Sequence, residues 1–107
     1  MKGERIHFVT GRLAEFSLRA TLDDLAPRVG FDFTVGVLPI TVAALMRAKW
    51  VARRVEVPPN TTRVVVPGFC GGDLAVIEEA TGVPVERGPK DLRQLPHHYG
   101  HEEPLVE

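Results

Sequence analysis

The residues best suited to chemistry form a glycine-rich segment between an apolar run and a helical pattern. The segment reads Pro-Gly-Phe-Cys-Gly-Gly-Asp over residues 67–73, directly after the valines 64–66 and before a helical pattern that begins at Leu74. Glycines let the backbone turn sharply with its N–H groups outward, and a following helix adds the positive end of its dipole. This arrangement predicts a binding site for an anion such as phosphate or carboxylate.

Two further junctions between a predicted strand and the segment after it carry basic residues. One is the run 10–12 and the other is the run 87–90. In an open parallel sheet, ligands bind outside the carboxyl ends of the strands, where the strand order reverses. The alternative is that these are ordinary turns, which need glycine in any case, with solvated charges beside them. The anion site expected from the three junctions consists of Thr10, Gly11, Arg12, Gly68, Cys70, Gly71, Gly72, Asp73, Arg87 and Lys90.

The glycine pattern differs from the known phosphate-binding fingerprints. No Gly-Lys-Ser/Thr follows it, as it would in a P-loop, and the G-x-G-x-x-G spacing of dinucleotide-binding folds is absent. The sequence therefore indicates no cofactor.

Two other groups of residues have suitable chemistry in an unfavourable context. Cys70 stands at a predicted helix N-terminus, which lowers a thiol pKa and favours a nucleophile, but no histidine has a telling sequence relationship to it. His97, His98, His101 and Glu102 are metal-ligand types, yet they lie in a polar segment near the C-terminus without a helix to hold them. We predict no catalytic residue and no metal site, and an independent enzyme that uses Cys70 ranks last.

Apolar periodicity positions these junctions within an alternation of strands and helices. Strands are expected at residues 6–10, 31–38, 63–66 and 83–86, and helices at about 14–29, 41–55 and 73–80, with a break near residue 21 as an alternative. Such alternation predicts a three-layer α/β sandwich, flavodoxin-like or Rossmann-like, with a four-stranded parallel sheet in the order 2-1-3-4. We expect one domain over residues 1–100, and a polar tail or the start of a linker over residues 101–107.

The expected helix at residues 41–55 has two apolar faces. Its core stripe is Ala44, Leu45, Ala48, Val51, Ala52 and Val55. The opposite face carries Val42, Met46 and Trp50, flanked by Arg47, Arg53 and Arg54. An exposed apolar stripe with a tryptophan and arginines is typical of an interface. The alternative is that a loop or the tail covers it.

Composition bounds the class of protein. The chain has 107 residues, of which 44% are hydrophobic and 25% charged, with a net charge of −1. This balance has no basic excess for nucleic acid or a membrane surface. A single cysteine, and an N-terminus without a signal-peptide pattern, favour a cytoplasmic location.

Four segments in register carry a family resemblance. They are FVTGRLAE at 8–15, VLPITVAALM at 37–46, VPGFCGGDL at 66–74 and RGPKDL at 87–92. Over residues 5–100 the chain resembles the N-terminal domain of dihydropteroate synthase-like proteins linked to tetrahydromethanopterin. In that family a barrel domain follows, and it resembles the synthase that joins a pterin pyrophosphate to an aminobenzoate-type acceptor. The catalytic residues of the synthase belong to the barrel, so the resemblance implies an accessory domain beside a pterin-handling module.

Two functions remain open at this point. The first is a non-catalytic domain that binds a phosphorylated or pterin-pathway small molecule at the strand ends. The second is a docking domain whose exposed helix face packs on the barrel or on another copy of the chain.

Overall fold

The fold consists of four parallel strands with helices on both faces of the sheet. The computed structural model describes residues 3–90 and 94–96, so the predicted histidine cluster at 97–102 and the predicted tail lie outside the described residues. The elements are β1 (Arg5–Thr10), α1 (Glu15–Val29), β2 (Asp32–Val37), a 3-10 turn (Ala43–Leu45), α2 (Ala48–Arg54), β3 (Arg63–Val66), α3 (Ala75–Thr81) and β4 (Val85–Arg87). The sheet order is β2-β1-β3-β4 with all pairs parallel. The predicted α/β sandwich and its strand order are confirmed.

Alternation along the strands divides the core into two layers. On one face of the sheet, Ile6, Phe8 and Val65 pack against the apolar stripe of α1. On the other face, Val9, Val64 and Val66 belong to the core that includes residues of α2 and α3. Because strands covered on both faces must be apolar on both faces, β1 and β3 read as nearly continuous apolar runs.

The first helix is continuous through the position where a break was considered. The hydroxyl of Thr21 donates to the carbonyl oxygen of Ser17 at 2.8 Å, so this side chain is satisfied within the helix. Pro27 lies in the last turn of α1, and Gly30 ends the helix in the left-handed region at a φ of 99°. No helix within residues 3–90 and 94–96 is long and apolar enough to cross a membrane.

The predicted helix at residues 41–55 is wrong in its first half. A 3-10 turn ends at Leu45, and Met46 and Arg47 are extended before α2 begins at Ala48. The cause is a contact with the glycine segment, because the Gly71 N–H donates to the Met46 carbonyl at 3.1 Å and the Ala48 N–H donates to the Gly71 carbonyl at 2.7 Å. These hydrogen bonds satisfy backbone groups that a continuous helix would have paired internally.

The break changes which side chains reach the core. Met46, predicted on the exposed face, is 1% exposed and packs in the core with Val51. Leu45, predicted in the core, is 70% exposed. Ala48 and Val51 are buried as predicted, whereas the side chain of Ala44 lies outside the described part of the chain.

A buried histidine makes stability depend on pH. His7 lies in the middle of β1, with its Nδ1 2.7 Å from the Thr34 hydroxyl, and a Cβ at Gly36 would lie 2.6 Å from its Nε2. Burial lowers the pKa of His7 below its ordinary value of 6.5. As pH falls below 6.5, His7 therefore becomes protonated in the unfolded chain while it stays neutral in the folded chain, and this favours unfolding.

We expect the free energy of unfolding to decrease as pH drops from 7.5 to 5.5, with a contribution from His7 of up to about 1.4 kcal/mol per pH unit. Urea denaturation at the two pH values measures this decrease. The His7→Gln variant keeps a polar side chain without the titration, so its stability should change less over the same interval. Equal pH dependence in the two proteins would exclude His7 as the cause.

Candidate ligand-binding site

A cavity opens at the carboxyl ends of β1 and β3. These are the two strands between which the chain order reverses, so the cavity lies where the sequence predicted a ligand crevice. Its volume is about 270 Å³, and its walls include Phe8, Leu18 and Leu95. Among the described lining residues, Thr10 and Lys90 are the two with polar side chains. The site is therefore an apolar cavity with two polar groups, rather than the polar crevice that the sequence predicted.

Gly68 allows the loops after β3 and β4 to touch. A Cβ on this residue would lie 2.7 Å from backbone atoms of Gly88, Pro89 and Lys90. This close approach positions Lys90 beside the cavity, with its Nζ 5.3 Å from the centroid of the Phe69 ring. A cation above an aromatic face is attracted by the negative face of the ring. Lys90 thus provides a positive charge at the cavity.

The loop after β1 pairs with the loop after β2. The N–H of Arg12 donates to the Ile40 carbonyl at 2.8 Å, and a Cβ on Gly11 would lie 2.7 Å from the same oxygen. Gly11 is therefore required for backbone packing. The side chain of Arg12 is exposed and does not line the cavity.

Arg87 has a different role from the anion binding expected of it. Its Nε donates to the Cys70 carbonyl at 2.8 Å, and its Nη2 donates to the Gly72 carbonyl. The guanidinium therefore ties the end of β4 to the glycine segment. These two carbonyls come from a loop seventeen and fifteen residues earlier in the chain, which sequence spacing did not reveal.

The outward N–H groups expected at the glycine segment were those of Gly71 and Gly72, and the first of them is used inside the protein. The Cys70 N–H donates to the Pro67 carbonyl at 2.9 Å, and the Gly71 N–H donates to Met46 as described above. The Asp73 carboxylate accepts from the N–H of Ala75, the first residue of α3, at 3.0 Å. The backbone donors of Cys70 and Gly71 are thus used inside the protein, so the Gly71 N–H does not serve the anion site as predicted.

Cys70 is a buried thiol and not an exposed nucleophile. It is 1% exposed in the core beside α2 and α3. Burial raises the pKa of its thiol, and the nearby guanidinium groups of Arg87 and Arg47 only oppose this change. The helix-terminus argument, which favours a lower pKa, is therefore overridden by desolvation.

The remaining predicted residues meet in a groove on the other side of the glycine segment. Its volume is about 510 Å³, and Gly71, Gly72 and Asp73 line it together with Arg47 and Trp50. The predicted anion residues and the predicted interface residues are therefore neighbours, which their separation in sequence did not indicate. Within residues 3–90 and 94–96, no group of three His, Cys, Asp or Glu side chains could hold a metal ion.

The predicted interface stripe is broken. Met46 is in the core, and Trp50 is half-buried, with the guanidinium carbon of Arg54 4.4 Å from its ring centroid. Arg54 also donates to the Trp50 carbonyl at 3.3 Å. Val42 is the one apolar member of the stripe that is exposed. The tryptophan therefore has a partner within the chain, and these residues do not form a continuous exposed face.

Apart from Val42, the exposed large apolar side chains of the described residues lie outside this stripe. The whole set is Leu13, Phe16, Val42, Leu45 and Phe69, and each belongs to a segment that follows the carboxyl end of a strand. The lining of the cavity includes residues of these segments. Among them are Ala14, between Leu13 and Phe16 in sequence, Ala43, between Val42 and Leu45, and Phe69 itself. Leu13 and Phe16 do not belong to the helical repeat of Ala14, Leu18, Leu22, Leu25 and Val29, and this is the sequence signal that could have revealed their exposure.

Comparison with known proteins identifies a family but no function. The model of a family described as a family of unknown function (DUF6513) matches residues 4–90. No curated protein and no solved structure matches the chain.

Proposed function

We propose that this chain, which belongs to the family of unknown function DUF6513, is an accessory α/β domain that binds a small anionic molecule at the carboxyl ends of its strands. The observation that carries the proposal is the cavity between β1 and β3, with Lys90 beside it. Open α/β sheets bind their ligands at this topological position. Small-molecule sites are also typically apolar cavities with a few polar groups.

The charges support an anion in preference to a cation. Lys90 forms no ion pair with any described residue, and no carboxylate lines the cavity within the described part of the chain. Of the ten residues predicted for the anion site, Thr10, Gly68 and Lys90 line this cavity. The proposed site therefore keeps these three, and it leaves Gly11 and Arg87 with structural roles.

The resemblance to dihydropteroate synthase-like proteins suggests where such a ligand would come from. A phosphorylated or pterin-pathway compound combines a ring with an anionic group, which suits an apolar cavity beside a lysine. The burial of Cys70 supports a binding role without catalysis by that residue. In this proposal the domain serves a neighbouring pterin-handling barrel domain.

Thermal unfolding with a ligand panel tests the proposal. The panel contains inorganic phosphate, pterin, 4-aminobenzoate and phosphorylated derivatives of both ring compounds. A ligand present at 100 times its Kd should stabilise the folded state by about 2.7 kcal/mol, which raises the Tm.

Ala14→Phe should abolish the ligand-induced change in Tm, because Ala14 lines the cavity and a phenyl ring would occupy it. Ala20→Phe is the matched control, since Ala20 lies on the exposed face of α1. If no compound raises the Tm, or if Ala14→Phe responds as the wild type does, the cavity is not the site.

A second candidate function, docking on a barrel domain or on another copy, is favoured by the five exposed apolar side chains in the segments that follow the strand ends. Phe16 is 84% exposed and Leu13 is 74% exposed, and apolar patches of this kind mark interaction sites. Light scattering over a concentration series should show a dimer that Phe16→Ser dissociates. A monomer at every concentration removes self-association and leaves a different domain as the proposed partner.

A further inference from the structure

We infer that the cavity accepts the ring of a ring-bearing anion, with a polar substituent of the ring at Thr10 and the anionic group outside, beside Lys90. This inference rests on the proposed function and narrows its ligand class. It differs from the sequence prediction, in which phosphate was held by backbone N–H groups and arginines.

The size and walls of the cavity favour a ring. The side chains of Phe8, Leu18 and Leu95 belong to the apolar core and also line the cavity. A dry apolar cavity of about 150 Å³ is large enough for benzene. At about 270 Å³, this cavity has room for one substituted ring or a fused pair, and it is smaller than the pockets of roughly 300–1,000 Å³ that bury drug-sized ligands.

Thr10 provides a polar group within these walls. The side chain is 3% exposed, and it lies on the same face of β1 as Phe8, two residues earlier. Its hydroxyl has no hydrogen-bond partner among residues 3–90 and 94–96, although no polar side-chain atom of that part of the chain is both fully buried and unpaired. The hydroxyl oxygen therefore keeps some accessible surface, and Thr10 is a lining residue of the cavity.

An unpaired hydroxyl in the wall of an apolar cavity selects ligands that can hydrogen-bond to it. A ring substituent that donates or accepts at Thr10 would pair a group that the described protein leaves unpaired. A purely apolar ring would cover the hydroxyl without pairing it, which costs affinity. The ligand is thus expected to carry a hydroxyl, amino or carbonyl group on the part of its ring that enters the cavity.

Lys90 and Phe69 lie where the anionic group of the ligand is expected, at the opening of the cavity. Phe69 is half-exposed and lines the cavity, and the Lys90 ammonium lies above its ring. An anionic group that stays at the opening can pair with this ammonium without being desolvated. Bare phosphate would form fewer contacts than predicted, because Arg87 donates to carbonyls and the Gly71 N–H donates to Met46.

The test is an NMR titration of the whole chain with benzoate, the three hydroxybenzoate isomers, neutral hydroxybenzyl alcohols and inorganic phosphate. One hydroxybenzoate isomer, the one whose hydroxyl reaches Thr10, should bind about three- to tenfold more tightly than benzoate, which is the effect of one net hydrogen bond. Thr10→Val should remove this preference, and Thr10→Ser should retain it.

Lys90→Gln should lower the affinity for the anions and leave the affinity for the neutral alcohols unchanged. Lys49→Gln is its matched control, because Lys49 lines the groove on the other side of the glycine segment. The inference is overturned if phosphate binds at Lys90 as tightly as every ring compound, or if Thr10→Val keeps the preference. Tight binding of phosphate at Lys90 would contradict the ring inference and leave the proposed anion site intact. If none of these compounds binds and no compound of the panel raises the Tm, both the ring inference and the proposed anion site are wrong.

Discussion

Gly68→Ala should lower the free energy of unfolding by about 1–3 kcal/mol, the usual cost of an added methyl group in a site without room for it. The new Cβ would lie 2.7 Å from backbone atoms of three consecutive residues, Gly88, Pro89 and Lys90. Backbone held at the end of β4 cannot rotate away as a side chain does, because Gly88 is itself hydrogen-bonded to the Val66 carbonyl at 2.9 Å. The loops after β3 and β4 must therefore separate. Urea denaturation measures the loss.

Gly71→Ala is the matched control in the same segment. A Cβ there would meet the guanidinium end of Arg47 at 3.0 Å, and this flexible, exposed side chain can move. We expect the stability of Gly71→Ala to remain within about 1 kcal/mol of the wild type, since a glycine-to-alanine change also reduces the entropy of the unfolded chain. If the two variants lose equal stability, the close backbone contact at Gly68 does not account for the destabilisation by Gly68→Ala.

Arg87→Met should destabilise the glycine segment by about 1–3 kcal/mol, because the carbonyls of Cys70 and Gly72 lose a charged donor. Methionine keeps much of the apolar stem, so the loss reports the hydrogen bonds more than packing. Urea denaturation gives the stability, and the rate of Cys70 alkylation gives the opening of the segment. That rate should rise, since the thiol is buried only while the segment is closed over it.

Arg12→Met is the control for removal of a guanidinium from the same edge of the sheet. Arg12 is exposed, and its one hydrogen bond among the described residues is made by its backbone N–H. Its replacement should leave both stability and Cys70 alkylation nearly unchanged. Should Arg87→Met behave in the same way, Arg87 would be released from its structural role and would again be a candidate for ligand binding.

Three of the ten residues predicted for the anion site line the cavity, whereas the apolar walls of the cavity were not predicted. Thr10, Gly68 and Lys90 were found because turn residues at strand ends are visible in a sequence, and parallel strands bring those ends to one edge. Phe8, Leu18 and Leu95 were missed because a cavity wall has the same apolar pattern as a core. The sequence contains no signal that marks where packing leaves a void.

The sequence by itself determined the layers of this protein and the order of its strands. Strands apolar on both faces, separated by amphipathic helices, permit few topologies, and right-handed crossovers with short connections reduce them further. The third strand was predicted with its observed bounds, Arg63–Val66, because its neighbours on both sides are turn residues.

Tertiary structure alone decided how the loops at the strand ends are used. Gly71 pairs with Met46 and Ala48, which stops a helix that periodicity favoured and moves Met46 into the core. Arg87 and Cys70 were both expected at the anion site, yet Arg87 donates to loop carbonyls and Cys70 packs among core side chains. Such pairings depend on the distance between loops that are remote in sequence, and residue types carry little information about that distance.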